Sequence, residues 1–322
     1  MKKLIIQIPC FNEEATIGLS LDALPREVPG YDIVEWLIVD DGCTDRTVAV
    51  AREHGVDHVV SLRNNQGLAK GFMAGIEACL RLGADTIVNT DADNQYNAED
   101  IPALVRPILE DSADMVIGER PITEIEHFSY TKKLLQRFGS YVVRIASHTS
   151  VPDSPSGFRA IHRDAALRLN VFSDYTYTLE TIIQAGRKNM RVATVPIRVN
   201  PDLRESRLVK NVLSYVQRSI LTIFRIFLVY KPFRAFMLLS VPLLTFGTVL
   251  GIRFVYYYFT EGGDGKIQSL ILAAVLVIAG FLSAAVAILA DLQAVNRTLL
   301  EDIRTRLLSL SIEEASLDRN KR

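Results

Sequence analysis

Through the first 120 residues, short apolar runs alternate with stretches of helical period. Residues 4–8, 36–39, 58–62, 86–89 and 115–117 are runs of strand length dominated by Ile, Val and Leu. Between them, residues 67–82 repeat Leu68, Phe72, Ile76, Cys79 and Leu80 at every third or fourth position, and residues 98–109 do the same. This alternation predicts an α/β fold with a mostly parallel sheet covered by helices on both faces, an architecture that binds ligands beyond the carboxyl ends of its strands. From 121 to 206 the pattern loosens into a helical stretch at 132–146, a loop at 152–157 and a late strand at 194–199.

The last third changes solvent. Residues 235–252 and 270–289 are 18 and 20 residues without a charge, each near the ~20 needed to cross a bilayer. Lys210, Arg218, Arg225, Lys231 and Arg234 precede the first run, and the loop at 260–268 is short and glycine-rich, so both ends of the expected hairpin face the cytoplasm. Phe254 and Tyr256 to Tyr258 suit an interfacial aromatic belt. Ahead of it, residues 208–229 are amphipathic, with Val212, Val216, Ile220 and Ile223 opposite Lys210, Arg218 and Arg225, as in a helix lying in the membrane surface. The expected organisation is a catalytic domain at 1–207, interfacial helices at 208–233, two transmembrane helices at 234–290 and a cytoplasmic helix or tail at 291–322. Leu292, Val295, Leu299, Ile303 and Leu307 recur along that tail, compatible with homo-oligomer contacts or a solvated surface helix.

Composition adds little to this picture except by exclusion. The 322 residues carry a net charge of −1, so no overall field recruits nucleic acid. Cys10, Cys43 and Cys79 fit no metal or redox spacing and suit a reduced, cytoplasmic domain. The start, Met1-Lys2-Lys3 before an apolar run, breaks at Pro9 with no cleavage signal, which predicts a buried first strand rather than a leader.

The candidate chemistry lies at the strand ends. Asp91, Asp93 and Gln95 follow the fourth strand within one turn, an oxygen donor set suited to Mg²⁺ or Mn²⁺ and, through the ion, to a nucleotide diphosphate. An isolated D-x-D is most often a solvated turn, but Asp40 and Asp41 end the second strand on the same edge. There they suit hydrogen bonds to a ribose or base, while Asp41 or Thr44 could equally cap the next helix. Phe11 and Glu13 end the first strand, suited to stacking on a base and bonding to it.

In this order, IPCFNEE (8–14), VDDGCTD (39–45), NTDADNQY (89–96) and SGFR (156–159) resemble family 2 glycosyltransferases of the GT-A (Rossmann-like) fold, and with the two-span tail the chain resembles the polyprenyl-phosphate glycosyltransferases. The resemblance implies that Pro9, Phe11, Glu13, Asp40, Asp41, Lys70, Asp91 and Ala92 hold the nucleotide, and that Asp91, Asp93 and Gln95 hold the metal and diphosphate. It also implies that Arg120, Lys133, Arg137, Ser156 and Arg159 meet the acceptor phosphate. Glu205-Ser206-Arg207 stands where relatives carry Gly-Glu-Ser-Lys. Two departures follow: Cys43 replaces a serine, and Pro201 replaces a diphosphate-binding arginine, leaving Arg204 or Arg207, with Ser206, for the closing loop.

The implied reaction moves a hexose from a nucleotide-sugar to undecaprenyl or dolichyl phosphate at a cell membrane, with inversion, by Asp93, Arg120 and a divalent cation. A phosphate acceptor needs no strong general base, so catalysis is positioning and charge neutralisation. A polysaccharide synthase is the rival enzyme, but two spans are few for a translocation channel and no Q-x-x-R-W segment is present. A non-catalytic nucleotide-sugar-binding scaffold predicts loss of the acidic clusters, which are intact.

Overall fold

The computed structural model describes residues 1–121, 149–171, 177–201, 231–262 and 267–320, together with residues 144, 147 and 228. The chain divides into two units, Met1–Ser219 with Asp302–Arg322, and Ile220–Glu301.

The first unit is built on a seven-stranded sheet. Strands β1 (Lys3–Cys10), β2 (Ile33–Asp40), β3 (His58–Ser61), β4 (Thr86–Asn89), β5 (Met115–Glu119), β6 (Arg159–His162) and β7 (Val192–Pro196) lie in the order β3-β2-β1-β4-β6-β5-β7. Neighbours pair in parallel except at β6, which runs antiparallel between β4 and β5. Leu4, Ile6 and Ile8 of β1 and Ile38 of β2 are fully buried in one core cluster, and Ile5, Leu37 and Val39, which alternate with them, are fully buried too, so these strands are apolar on both faces. Helix α1 (Ile17–Ala23) buries Ile17 and Leu21, and α2 (Thr47–Glu53) buries Ala51. Helix α3 (Leu68–Arg81) buries Phe72, Ile76, Cys79 and Leu80 of the stripe its sequence period predicts, whereas Leu68 at its first position is exposed. The stretch at 98–109 opens as a 3₁₀ turn at Ala98–Asp100, where Asn97 accepts the Glu99 amide at 3.0 Å, and continues as α4 (Ile101–Leu109) with Pro102 in its first turn.

Register gathers the motifs on one edge. Cys10 lies opposite Asp40, Gln7 opposite Asn89, and Asn89 opposite Arg159. The expected late strand is β7, which ends at Pro196; beyond it, Val199 forms only an isolated bridge with Tyr96. Two further helices, α5 (Arg163–Arg168) and α6 (Thr178–Arg187), follow β6 in the chain.

The second unit contains α7 (Pro232–Glu261) and most of α8 (Ile267–Asn320), with mean hydropathies of 2.0 and 2.8 over their most apolar windows and only 11% and 17% of those windows buried. Both are long and apolar enough to cross a membrane. Small residues bring them together. Ser240 Oγ donates to the Gly280 carbonyl at 2.8 Å, and Ser283 Oγ to the Phe236 carbonyl at 3.1 Å. A Cβ on Gly247 would meet the Val277 nitrogen at 3.0 Å, whereas one on Gly251, a turn further on, would meet nothing within 4 Å. The tail expected as a separate element is continuous with α8. Its last part belongs to the first unit, where Arg304 Nη1 donates to the Leu169 carbonyl at 3.2 Å. The amphipathic stretch 208–229 lies outside the described residues apart from residue 228.

Candidate active site

The ends of β1 and β2 are tied together by side chain to backbone bonds. After β1 the chain turns at Asn12, whose φ of 55° is left-handed. Its Oδ1 accepts the Thr44 amide at 2.8 Å, while its own amide donates to Cys43 Sγ at 3.3 Å. Cys43 Sγ also reaches the Cys10 carbonyl at 3.6 Å, so the thiol joins the ends of β1 and β2. Burial, foremost, pushes that thiol up to about 11, which suits a structural group rather than a nucleophile.

The two aspartates of the second strand end have different surroundings. Asp40, half-buried, accepts the Cys43 amide at 2.7 Å through Oδ1. Asp41 is 5% exposed and accepts the Gln66 and Gly67 amides at 2.7 and 2.9 Å, joining β2 to the start of α3. Asp41 thus supports a helix start, of α3 rather than α2, and offers little surface to a nucleoside. Pro9 is half-buried, Phe11 is 39% exposed, Glu13 accepts the Thr16 hydroxyl at 3.1 Å, and Lys70 is exposed in the first turn of α3.

The acidic turn after β4 is clamped from several sides. The Ala92 carbonyl accepts Ser20 Oγ at 2.8 Å, and Asp93 Oδ1 accepts the Gln95 amide at 3.2 Å around the left-handed Asn94. From beyond β7, the Asn200 amide donates to the Gln95 carbonyl at 2.8 Å, and Asn200 Nδ2 to the Asn94 carbonyl at 2.9 Å. The Asp91 carboxyl is pushed up to about 7, by burial first and by Asp93 second, against the pull of Arg120 and a side-chain hydrogen bond from Tyr96.

Opposite Asp91 sits the loop before β6. The Gly157 amide donates to Tyr96 Oη at 2.9 Å, and the Gly157 carbonyl accepts Asn89 Nδ2 at 2.9 Å. A Cβ at Gly157 would stand 3.1 and 3.3 Å from the two Asp91 oxygens and 3.0 Å from Tyr177 Oη, so only glycine fits without displacement. Asn89 Nδ2 also donates to Tyr177 Oη at 2.9 Å, and Asn89 Oδ1 accepts Gln7 Nε2 at 2.9 Å. Tyr177 stacks on Phe72 at 3.9 Å.

The arginines are engaged internally. Arg120 donates from Nε and Nη2 to the buried Asp153 at 2.8 and 3.0 Å, and its amide bonds the same carboxylate at 3.2 Å. Arg159 corrects an expectation drawn from its motif. It is 0% exposed, and its guanidinium bonds the Ser154, Ser156 and Thr178 carbonyls and the Thr181 hydroxyl at 2.6–2.9 Å, leaving no surface for an acceptor phosphate. Strand β6 begins at this residue and turns its side chain inward. Ser156 is likewise fully buried, its Oγ without a hydrogen-bond partner among the described residues. Lys133, Arg137, Arg204, Ser206 and Arg207 lie outside the described residues.

Among the described residues, no three His, Cys, Asp or Glu side chains form a closed metal cage. Asp91 and Asp93 instead form a two-carboxylate donor set with Gln95 beside it, and the Asp91 carboxyl is raised by burial first and by the neighbouring Asp93 charge second. That set fits a hard divalent cation completed by substrate phosphate and water.

Gln7, Asn89, Tyr96, Asp153, Tyr177 and Asn200 also build the site, although the motifs do not single them out for a role. Gln7 and Asn89 had a legible signal, a polar side chain inside an apolar strand that must find a partner. The others had none.

The family described as Glycosyl transferase family 2 matches residues 5–169. A UDP-N-acetylglucosamine–dolichyl-phosphate N-acetylglucosaminyltransferase of Methanococcus voltae is 28% identical over 221 residues, covering 61% of this chain and 85% of that protein. An undecaprenyl-phosphate mannosyltransferase of Micrococcus luteus is 29% identical over 212 residues, covering 62% and 85%. Among solved structures, glucosyl-3-phosphoglycerate synthase of Mycobacterium tuberculosis, crystallised with Mn²⁺, UDP and glucosyl-3-phosphoglycerate, shares the fold with a TM-score of 0.54 at 22% identity, over 69% of this chain and 80% of that one.

Proposed function

This chain belongs to glycosyl transferase family 2, and from that premise we propose that it transfers a hexose from a nucleotide-diphosphate sugar to a polyprenyl phosphate. The observation that carries the reading is the contact of Gly157 with Asp91, which sets the loop before β6 against a donor-side carboxylate at the strand ends. Relatives named for dolichyl and undecaprenyl phosphates support the acceptor class.

In this reading Phe11, Glu13 and Asp40 receive the nucleoside. Asp91 and Asp93 would hold Mg²⁺ or Mn²⁺, whose chemistry is to neutralise charge on the departing diphosphate. Arg120, fixed by Asp153, adds positive potential beside Asp91, and a basic residue outside the described set, Arg204 or Arg207, closes on the diphosphate. An acceptor phosphate already carries its negative charge at neutral pH. In-line attack on the anomeric carbon therefore needs orientation and charge balance rather than proton abstraction, and it inverts the centre.

The two apolar helices support membrane anchorage, with the catalytic unit on the cytoplasmic side by the basic residues ahead of the first. The test is transfer of radiolabelled sugar from a panel of nucleotide-sugars to undecaprenyl and dolichyl phosphates in detergent, with Mn²⁺ or EDTA. Label in the lipid phase that requires metal and Asp93 supports the reading and names the donor. A protein that binds a nucleotide-sugar yet labels neither lipid defeats it.

A further inference from the structure

We infer that Asn200 is a positioning residue for the acidic turn after β4, holding Asn94 in its left-handed conformation so that Asp93 and Gln95 keep their places before an ion arrives. This role rests on the reading of Asp91 and Asp93 as metal ligands and deepens it.

The turn does not hold itself. Asn94 has a φ of 54°, a conformation that residues other than glycine adopt at a cost and that asparagine is among the few to tolerate. The Asp93 carboxylate depends on it, because Oδ1 accepts the Gln95 amide at 3.2 Å across that residue. Asn200, 106 residues further along the chain, supplies what the turn lacks. Its Nδ2 donates to the Asn94 carbonyl at 2.9 Å and also reaches Asn94 Oδ1 at 3.4 Å and the Tyr96 carbonyl at 3.3 Å. Three acceptor oxygens around one atom identify it as the nitrogen of the carboxamide. The Asn200 backbone amide donates to the Gln95 carbonyl at 2.8 Å. Gln95 is thus held at its carbonyl by Asn200 and bound at its amide to Asp93.

Asn200 can act as a clamp because its own backbone is fixed. Val199 is bridged antiparallel to Tyr96, the Arg198 carbonyl accepts the Asn97 amide at 3.3 Å, and Pro201 confines the residue before it to extended backbone. Those backbone bonds would join the two segments whatever side chain stood at 200. The carboxamide adds donors directed at the one left-handed residue of the turn, and partners of this kind, behind the ligands rather than among them, keep a ligating carboxylate oriented.

The experiment measures Mn²⁺ binding, with Mn²⁺ alone, to the full-length protein in detergent by electron paramagnetic resonance of the free ion, in variants that keep a cooperative thermal transition. Asn200→Ala should weaken Mn²⁺ roughly tenfold, as loss of a partner behind a metal ligand does. Adding Asn94→Gly, which takes up left-handed backbone without strain, should recover most of that loss, a rescue that a defect of packing would not show. Arg198→Ala, which cuts the adjacent exposed ion pairs with Glu99 and Asp100 at 3.1 and 2.7 Å, should bind like wild type. Wild-type affinity in Asn200→Ala, no rescue by Asn94→Gly, or an equal loss in Arg198→Ala each overturns the role of Asn200. Should Asn200→Ala not fold, Asn94→Ala decides from the other partner: a tenfold loss supports the role, and wild-type affinity overturns it. If Asp93→Ala binds Mn²⁺ as wild type does, the metal reading itself fails.

Discussion

Asn89 Nδ2 donates to the Gly157 carbonyl at 2.9 Å across 68 residues of chain, and through that bond the end of β4 fixes the loop that faces Asp91. The same amide holds Tyr177, and its oxygen takes Gln7, so one buried side chain joins the sheet, the loop and α6. Asn89→Ala should therefore leave several buried polar groups unpaired and cost about 3 kcal/mol. A urea titration should show the midpoint falling with an unchanged slope; a loss below about 0.5 kcal/mol would mean that these groups find other partners.

Asp153 and Arg120 form a buried bidentate pair, at 1% and 10% side-chain exposure. Asp153→Ala would strand the guanidinium and should destabilise the catalytic unit by about 3–5 kcal/mol, more than Arg120→Met combined with Asp153→Leu. Thermal melting of the three proteins orders these losses, and equal melting temperatures for all would remove the pair from the stability argument.

Glu35 accepts hydrogen bonds from Lys3 at 3.0 Å and pairs with His58 at 2.8 Å. Burial, the largest single influence, raises its pKa, but the His58 and Lys3 bonds together outweigh burial and hold the carboxyl below its ordinary 4.5. A carboxyl with a lowered folded pKa stabilises the protein above its unfolded value and loses that contribution as pH falls through the folded one. Glu35→Gln should therefore be less stable than wild type at pH 6 and converge on it as pH falls below the carboxyl's ordinary 4.5, as read from melting temperatures across a pH series.

Gly280 and Gly251 should respond oppositely to an added methyl. A Cβ at Gly280 would lie 2.6 Å from Leu244 Cγ and 3.1 Å from the Leu244 nitrogen, whereas Gly251 has open space. Gly280→Ala should cost about 1–3 kcal/mol by overpacking α7 against α8, while Gly251→Ala should be neutral or mildly stabilising as a better helix former. Detergent unfolding followed by circular dichroism separates the two.

Removing the divalent ion, or replacing Asp93 with Ala, should lower sugar transfer by about three orders of magnitude, the scale of a lost charge-stabilising group. Added Mn²⁺ should restore the chelated wild type but not Asp93→Ala; recovery of the variant at ordinary Mn²⁺ would move the ligand elsewhere.

Much of this architecture is written locally. The strand–helix alternation, the carboxylates at the ends of β2 and β4, the glycine of the SGFR run and the two long apolar helices each follow from a few consecutive residues, because strand pairing and helix burial impose short periods on the chain. What needed the folded molecule was β6. Its four residues begin with a charged side chain and carry no alternation, so nothing local marks them as a strand, and its partners β4 and β5 lie far back in the chain. Its antiparallel insertion decides that Gly157 meets Asp91, that Tyr96 and Asn89 share the loop between them, and that Arg159 turns inward to bond carbonyls. The sequence by itself determined which residues could do the chemistry, since that depends on residue type and place along a strand. Tertiary structure alone decided which of them face the site and which hold it together, since burial and hydrogen-bond partnership are set by neighbours tens of residues away.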